Sequence, residues 1–183
     1  MTCSELFTFI GAPKEPIAIP SANTWDGLED EVGFAYPIEF KSFLNTYGEG
    51  FLGSYIRLCN PAVSGSRRLS KAFYDDFFNY ASEPFKECLG ESTKLYPEKE
   101  GWILFGKTLD RTQLLWEPKK NGPWTIIVSD VTDCERYDLS FNDFIYRCLS
   151  HELGNSYLMR SNLFTEPFFS RLIPGSDLKL EDD

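Results

Sequence analysis

The stretch that decides the fold runs from Tyr36 to Gly50 and reads YPIEFKSFLNTYGEG. Its apolar residues recur at i, i+3, i+4 and i+7, which is the spacing of one face of an α-helix. These residues are Phe40, Phe43, Leu44 and Tyr47. Pro37 suits the first helical position, and Gly48 suits the end. The stretch therefore predicts an amphipathic helix whose aromatic face belongs to the core.

The residues before this helix predict a simpler arrangement. Residues 1–20 are rich in proline and show no sustained period, so we expect an extended lead-in. Asn23 is predicted to cap a short helix that stops at Gly33. The apolar face of this short helix consists of Trp25, Leu28 and Val32.

The residues after it predict further helices and then a run of strands. The segment Phe51–Leu58 predicts one strand, and residues 62–68 predict a loop. Ser70 is expected to cap a helix, and a short helix is expected over Phe85–Leu89. The apolar face of the helix after Ser70 consists of Phe73, Phe77 and Ala81. Four strands are then predicted, at Trp102–Phe105, Thr112–Glu117, Trp124–Ser129 and Glu135–Asp138.

The last predicted helix fixes the fold class. Ser140 and Asp143 form a capping-box pattern, and the apolar face that follows is Phe141, Phe144, Ile145, Cys148 and Leu149. After Gly154 the period is lost. Several apolar residues there are expected to pack back on the body: Phe164, Phe168, Phe169, Leu172 and Ile173. Helices on either side of a run of strands predict a single α+β domain over 1–183, in which a meander sheet has helices packed against it.

The composition predicts a folded, strongly acidic chain. Hydrophobic residues make up 42% of the 183 residues, enough for a core without metal or disulfide staples. The net charge is −10, divided as −5 over residues 1–60, +1 over 61–120 and −6 over 121–183. Because nucleic-acid binding depends on neutralising phosphates, this balance argues against a nucleic-acid ligand. It favours a basic partner protein, and acidity that serves only solubility is an equally good interpretation.

No motif predicts a cofactor, a metal site or a membrane span. The longest apolar runs are strand-sized, and the start of the chain lacks the basic stretch of a secretory signal. The five cysteines contain no C-x-x-C pair, which favours buried thiols in a reducing compartment over a zinc site. We therefore expect a cytoplasmic protein without cofactors.

Two parts of the chain resemble the SUKH superfamily, which includes fungal cell-wall synthesis regulators and many bacterial proteins that neutralise toxins. Trp25–Gly33 followed by Tyr36–Gly50 is similar to a short helix and then the pattern L-P-x-x-F/Y-x-x-F-L-x-x-x-G-G. Trp102–Gly106, with the strands after it and the helix from Leu139 to Ile145, is also similar.

The resemblance covers residues 21–152 and leaves 153–183 as a C-terminal extension. Two positions depart from the pattern: Tyr36 stands where members often carry Leu, and Asp110-Arg111 stands where they often carry Gly-Asp. The resemblance implies a mixed or antiparallel meander sheet with helices mainly on one side. It also implies a non-enzymatic protein-binding domain, an immunity protein that neutralises a toxin, commonly a basic nuclease. A regulatory scaffold of the cell-wall type is the alternative.

The predicted partner-binding residues are acidic and lie in turns or next to strands: Glu49, Asp130, Asp133, Glu135 and Asp138. They combine loop position with the charge that a basic partner requires. The competing interpretation is that these are ordinary polar turns.

Two further interpretations concern the pair Cys148 and His151 and the aromatic residues near strands. A small hydrolase could use Cys148 with His151, the only histidine, three residues later on one helix face. Because Cys148 belongs to the apolar set of its helix, a buried thiol is the better interpretation. Aromatics on or near strands could form an exposed anchor patch, although core is the favoured role for each: Tyr55, Trp116, Trp124 and Tyr137.

Overall fold

The architecture is taken from a computed structural model. It describes residues 1–62, 94, 96, 101–110, 112–120, 122–130, 133–154, 158 and 169–171. These residues contain four helices: α1 Cys3–Ile10, α2 Ala22–Val32, α3 Ile38–Tyr47 and α4 Phe141–Leu149. They also contain seven strands: β1 Gly50–Leu52, β2 Ile56–Leu58, β3 Ile103–Thr108, β4 Gln113–Glu117, β5 Thr125–Ser129, β6 Cys134–Tyr137 and β7 Phe169–Arg171. The predicted loop at 63–68, the predicted helices after Ser70 and over Phe85–Leu89, and the residues Phe164, Phe168, Leu172 and Ile173 lie outside the described residues.

The strands form one antiparallel sheet in the order β6-β5-β4-β3-β2-β1-β7, which confirms the predicted α+β class. Strands that are consecutive in the chain are neighbours from β1 to β6, as in a meander. This order follows from short connections, since antiparallel strands can be joined by tight turns. β6 and β7 lie at the two edges of the described sheet.

The four described helices lie against one face of the sheet. Phe40 of α3 packs edge-on against Trp116 of β4, with ring centroids 4.6 Å apart, and also contacts Phe141 of α4. Phe7 of α1 and Trp25 of α2 join the same layer through contacts with α3. The predicted core face of α3 is confirmed, because its four apolar residues have no exposed surface.

The other face of the sheet is also buried at its centre. Leu115 pairs with Leu104 and Ile127 in neighbouring strands, and it alternates with Trp116, so its side chain points away from α3. All three leucine and isoleucine side chains are at most 2% exposed. The centre of this face is therefore not accessible.

The N-terminal segment corrects the prediction of an extended lead-in, because Cys3–Ile10 is helical. Thr2 and Glu5 form a capping box, in which the Thr2 hydroxyl oxygen accepts from the Glu5 N–H and the Glu5 carboxylate accepts from the Thr2 N–H. Leu6 and Ile10 are buried in the core. The prolines after Gly11 obscured this short helix in the sequence.

One predicted helix start changes, and another is confirmed in part. Ser21, not Asn23, caps α2, since its side chain accepts from the Thr24 N–H. Ser140 does cap α4, with its hydroxyl oxygen accepting from the Asp143 N–H. The Asp143 carboxylate accepts from the Ser140 hydroxyl rather than from the Ser140 N–H, so the predicted capping box is incomplete.

The predicted single strand Phe51–Leu58 is a hairpin of β1 and β2. Gly53 and Ser54 both have positive φ, 56° and 55°, and the Tyr55 N–H donates to the Leu52 carbonyl. Two successive residues of this conformation make the tight turn that joins antiparallel strands. A serine in the second position weakens the usual sequence signal for such a turn.

The turn between β3 and β4 is organised by the Asp110 carboxylate. It accepts from the Tyr55 hydroxyl at 2.6 Å, from the Thr108 hydroxyl, and from the Thr112 hydroxyl at 3.4 Å. Partial burial alone would raise the pKa of Asp110, but the hydrogen bonds from Thr108, Tyr55 and Thr112 outweigh it and hold the pKa below its usual range.

This carboxylate gives a testable pH dependence. Because the folded-state pKa of Asp110 is lowered, its contribution to stability is present above the unfolded pKa near 4 and is lost as the pH falls through the folded value. Because Asp110 is exposed and solvent screens its interactions, Asp110→Asn should cost only about 0.5–1.5 kcal/mol at pH 7, and its stability should fall less steeply as the pH is lowered. Urea unfolding between pH 2 and 7 measures both effects.

Tyr55→Phe is the matched partner for a double-mutant cycle, since it removes the donor and keeps the ring. The double variant should cost less than the sum of the two single variants. The role assigned to this hydrogen bond would be contradicted if the losses in free energy of unfolding were strictly additive. It would also be contradicted if Asp110→Asn did not change how stability falls at acidic pH.

Candidate functional site

The hairpin of β5 and β6 carries four of the five predicted binding residues. β6 is an edge strand, and residues 130–138 contain four acidic residues and one basic residue, a net charge of −3. The structure therefore brings Asp130, Asp133, Glu135 and Asp138 to one edge of the sheet. Charged residues on an edge strand also prevent unwanted strand pairing, so charge alone does not define a binding site.

The two aspartates of the turn are held in place by backbone hydrogen bonds. The Asp130 carboxylate accepts from the Asp133 N–H at 3.0 Å, and the Asp133 carboxylate accepts from the Cys134 N–H at 2.7 Å. Aspartate commonly stabilises turns in this way. Asp133 is exposed, whereas Asp130 is half-buried. The turn thus presents a negative charge in a fixed position.

Glu135 and Asp138 have different surroundings. Glu135 points to the helix side of β6, where its carboxylate accepts from the Tyr137 hydroxyl at 2.8 Å. Asp138 follows the strand, and its side chain is 78% exposed. The Lys119 ammonium and the Thr125 hydroxyl both donate to the Asp138 carboxylate and lower its pKa. Asp138 is therefore accessible but already paired with a cation.

The sequence reasoning missed the cations at this edge. Arg136 makes an ion pair with Glu117 of β4, and its guanidinium lies 5.2 Å from the ring centroid of Trp102. Arg136 lies between Glu135 and Tyr137, so strand alternation predicts that it faces away from the helices. At this edge the acidic turn therefore lies at the start of β6, and the two ion pairs lie toward the end of the strand.

Glu49 does not belong to this surface, which corrects the prediction of an exposed acidic turn there. It is 7% exposed, and its carboxylate accepts from the Arg57 guanidinium at 2.9 Å. Its N–H donates to the Ile17 carbonyl. Arg57 lies in β2, four strand spacings from β6, or about 19 Å. Glu49 therefore stabilises the β1–β2 end of the sheet.

The aromatic residues considered as exposed anchors are mainly core residues. Tyr55 and Trp116 are buried, and Trp124 and Tyr137 are half-buried. Trp124 packs against Trp116, and Tyr137 packs against Phe144. The favoured interpretation of these four side chains as core is thus confirmed for Tyr55 and Trp116.

Cys148 and His151 lie in contrasting environments. The Cys148 side chain is fully buried, and burial raises the pKa of its thiol. His151 is exposed in the turn after α4. A nucleophilic cysteine needs a lowered pKa and access to its substrate, and Cys148 has neither. The predicted buried thiol is confirmed.

The described residues offer neither a metal site nor a membrane-spanning helix. Within them, no group of three or more His, Cys, Asp or Glu side chains is arranged to hold a metal ion. None of the helices found there is long and apolar enough to cross a membrane. The likeness to the SUKH superfamily stays a prediction from the quoted residues. Comparisons with protein-family models, curated proteins and solved structures found no match for this chain.

Proposed function

We propose that this chain is a non-enzymatic protein-binding domain that binds and neutralises a basic toxin domain. The observation that carries the proposal is the acidic turn of the β5–β6 hairpin, where Asp133 projects at the sheet edge. The resemblance to the SUKH superfamily supplies the class of partner.

Electrostatics supports this choice of partner. A toxin that acts on nucleic acid needs a basic surface in order to approach phosphate. A chain of net charge −10 attracts such a surface over long distances, which raises the association rate. The backbone hydrogen bonds of the turn fix the Asp133 carboxylate before binding, so little ordering cost is added.

The packing of the sheet supports this location. Leu104, Leu115 and Ile127 are buried on the face away from the described helices. The centre of that face is therefore not offered to a partner, while the β5–β6 edge and its turn are. An interface there combines accessible backbone with negative side chains.

The direct test is protection. The candidate is a toxin domain encoded at the 3′ end of a large gene next to this one. Co-expression of this chain should restore growth of cells that produce the toxin domain, and the purified pair should co-elute. A pair that neither co-elutes nor protects overturns the proposal for that toxin. Binding without protection favours the regulatory-scaffold alternative.

The acidic turn makes a specific kinetic prediction. Asp133→Asn removes one charge and keeps a side-chain oxygen that can accept from the Cys134 N–H. We expect the association rate constant to fall by about 2- to 5-fold at low ionic strength, and the difference to shrink as salt is added. Stopped-flow or surface plasmon resonance measurements at several salt concentrations give the result.

Glu152→Gln is the matched control, because it removes the same charge from the exposed turn after α4. It should change the association rate much less. Equal effects of the two variants would mean that only the total charge matters, and the assignment to the β5–β6 turn would then be wrong.

A further inference from the structure

A second surface lies on the α2 side of the molecule. A groove of about 590 Å³ separates Ile19 and Pro20 from Pro61 and Ala62, with Gly27 and Glu31 of α2 along its side. Ile19 is 48% exposed, so an apolar side chain is available at the groove. None of the predicted binding residues belongs to this groove.

The walls of the groove are fixed to one another by a buried amide. The Asn60 side chain donates to the Ala18 carbonyl at 2.7 Å and accepts from the Ala62 N–H at 3.1 Å. Asn60 is 5% exposed, and Ala18 has a φ of 54°. Such a conformation in alanine is strained and needs support from its surroundings. The groove is therefore preformed, so a ligand does not have to order it.

Gly27 occupies a helical position where alanine would be better for folding. A Cβ on Gly27 would meet nothing within 4 Å, so no internal packing requires glycine there. Glycine disfavours helix interiors, and its usual justification is close approach of another group. At Gly27 that approach would come from the groove.

The acidic residues of α2 point to the charge of the ligand. Asp30 and Glu31 lie in the last turn of α2, where the helix dipole disfavours negative charge. Glu29, beside them, is paired with Lys41 at 2.8 Å. The side chains of Asp30 and Glu31 make no hydrogen bond or ion pair with the part of the chain that the structure describes. Glu31 also lines the groove, so its carboxylate does not help the helix but would help a cation bound there.

We propose that this groove binds an extended segment of a partner protein in which an apolar side chain is next to a lysine or arginine. The apolar side chain packs against Ile19 and Pro20, the segment backbone approaches Gly27, and the basic group lies near Glu31. The inference rests on the proposed protein-binding function, since the segment belongs to the partner.

The test uses short synthetic peptides and the full chain. The probe is a capped peptide of alternating leucine and arginine, compared with one in which glutamate replaces arginine and one in which serine replaces leucine. In two-dimensional NMR, we expect the amide signals of Ile19, Gly27 and Ala62 to shift with the first peptide only. No shift at millimolar peptide, or equal shifts with the glutamate peptide, overturns the proposal.

Gly27→Ala separates binding from folding. It should raise Tm by about 2–4 °C, because alanine is the better helix former. It should also weaken binding of the leucine–arginine peptide at least fivefold. Glu31→Gln should weaken binding of the peptide and reduce the salt dependence of its affinity. An unchanged affinity in Gly27→Ala would exclude close approach at this residue.

Asp133→Asn is the control for location and should leave peptide binding unchanged. Peptide binding at the groove without any protection from the toxin would overturn the proposed function, while the proposal that the groove binds a peptide segment would stand. Protection from the toxin without peptide binding would support the proposed function and overturn the proposal for the groove. If the peptide shifts signals of the β5–β6 turn instead, the groove is not its site.

Discussion

Phe40→Ala is expected to lower the free energy of unfolding by about 3–5 kcal/mol, the range observed for large-to-small changes at fully buried aromatic positions. Phe40 has no exposed surface and lies where α3 meets both the sheet and α4. Its ring contacts five others: Trp25, Tyr36, Phe105, Trp116 and Phe141. Because these neighbours come from four different elements and one connection, they cannot all move in to fill the cavity.

Ile38→Ala is the matched control on the same helix. Ile38 is 71% exposed, and alanine has the higher helix propensity, so the change should stay within about 0.5 kcal/mol. Urea unfolding followed by tryptophan fluorescence and by far-UV circular dichroism measures both variants. A loss below about 1.5 kcal/mol for Phe40→Ala would show that the core is not centred on this ring.

The parts of the fold that the sequence predicts well are those in which local pattern and burial agree. The periods of α3 and α4 each define one buried helix face, and the apolar runs of β3, β4 and β5 fit strands that are buried on both faces of the sheet. In these elements the residues that favour a helix or a strand are also the residues that the core requires. These elements can therefore be predicted from a single sequence.

The errors fall where distant residues decide the outcome. β7 has three residues, and it exists because its backbone pairs with β1 more than one hundred positions earlier. No local signal announces such a strand. Unlike β7, α1 does carry a local signal, because Thr2-x-x-Glu5 before an apolar run is a capping-box pattern. The prolines that follow Gly11 favoured an extended segment instead.

The same distinction explains the candidate sites. Asp133 and Asp138 are exposed because a short hairpin places them at an edge, which the turn residues of the sequence indicate. Glu49 lies between two glycines and has the same local appearance, yet Arg57 and the Ile17 carbonyl bury it. The groove is lined by three separate segments, two of which Asn60 holds together, so no single stretch of sequence could predict it.

Gly48→Ala is expected to cost about 2–6 kcal/mol, for two reasons that add. Gly48 has φ 69° and ψ −146°, a region that almost only glycine occupies and that costs other residues about 1–3 kcal/mol. A Cβ there would also overlap the carbonyl oxygen of Ile17 and lie 2.9 Å from its carbonyl carbon. Backbone that must move aside for an added methyl group contributes a further cost of about 1–3 kcal/mol.

Gly33→Ala separates these two contributions. Gly33 ends α2 with φ 77° and ψ 20°, and a Cβ there would meet nothing within 4 Å. It should therefore lose only the left-handed strain, about 1 kcal/mol. The difference between the two variants in urea unfolding measures how tightly the Ile17 strand bridge is held against Gly48. Similar losses in both variants would mean that the segment around Ile17 yields easily, and the fixed groove wall that begins at the next residue, Ala18, would lose its support.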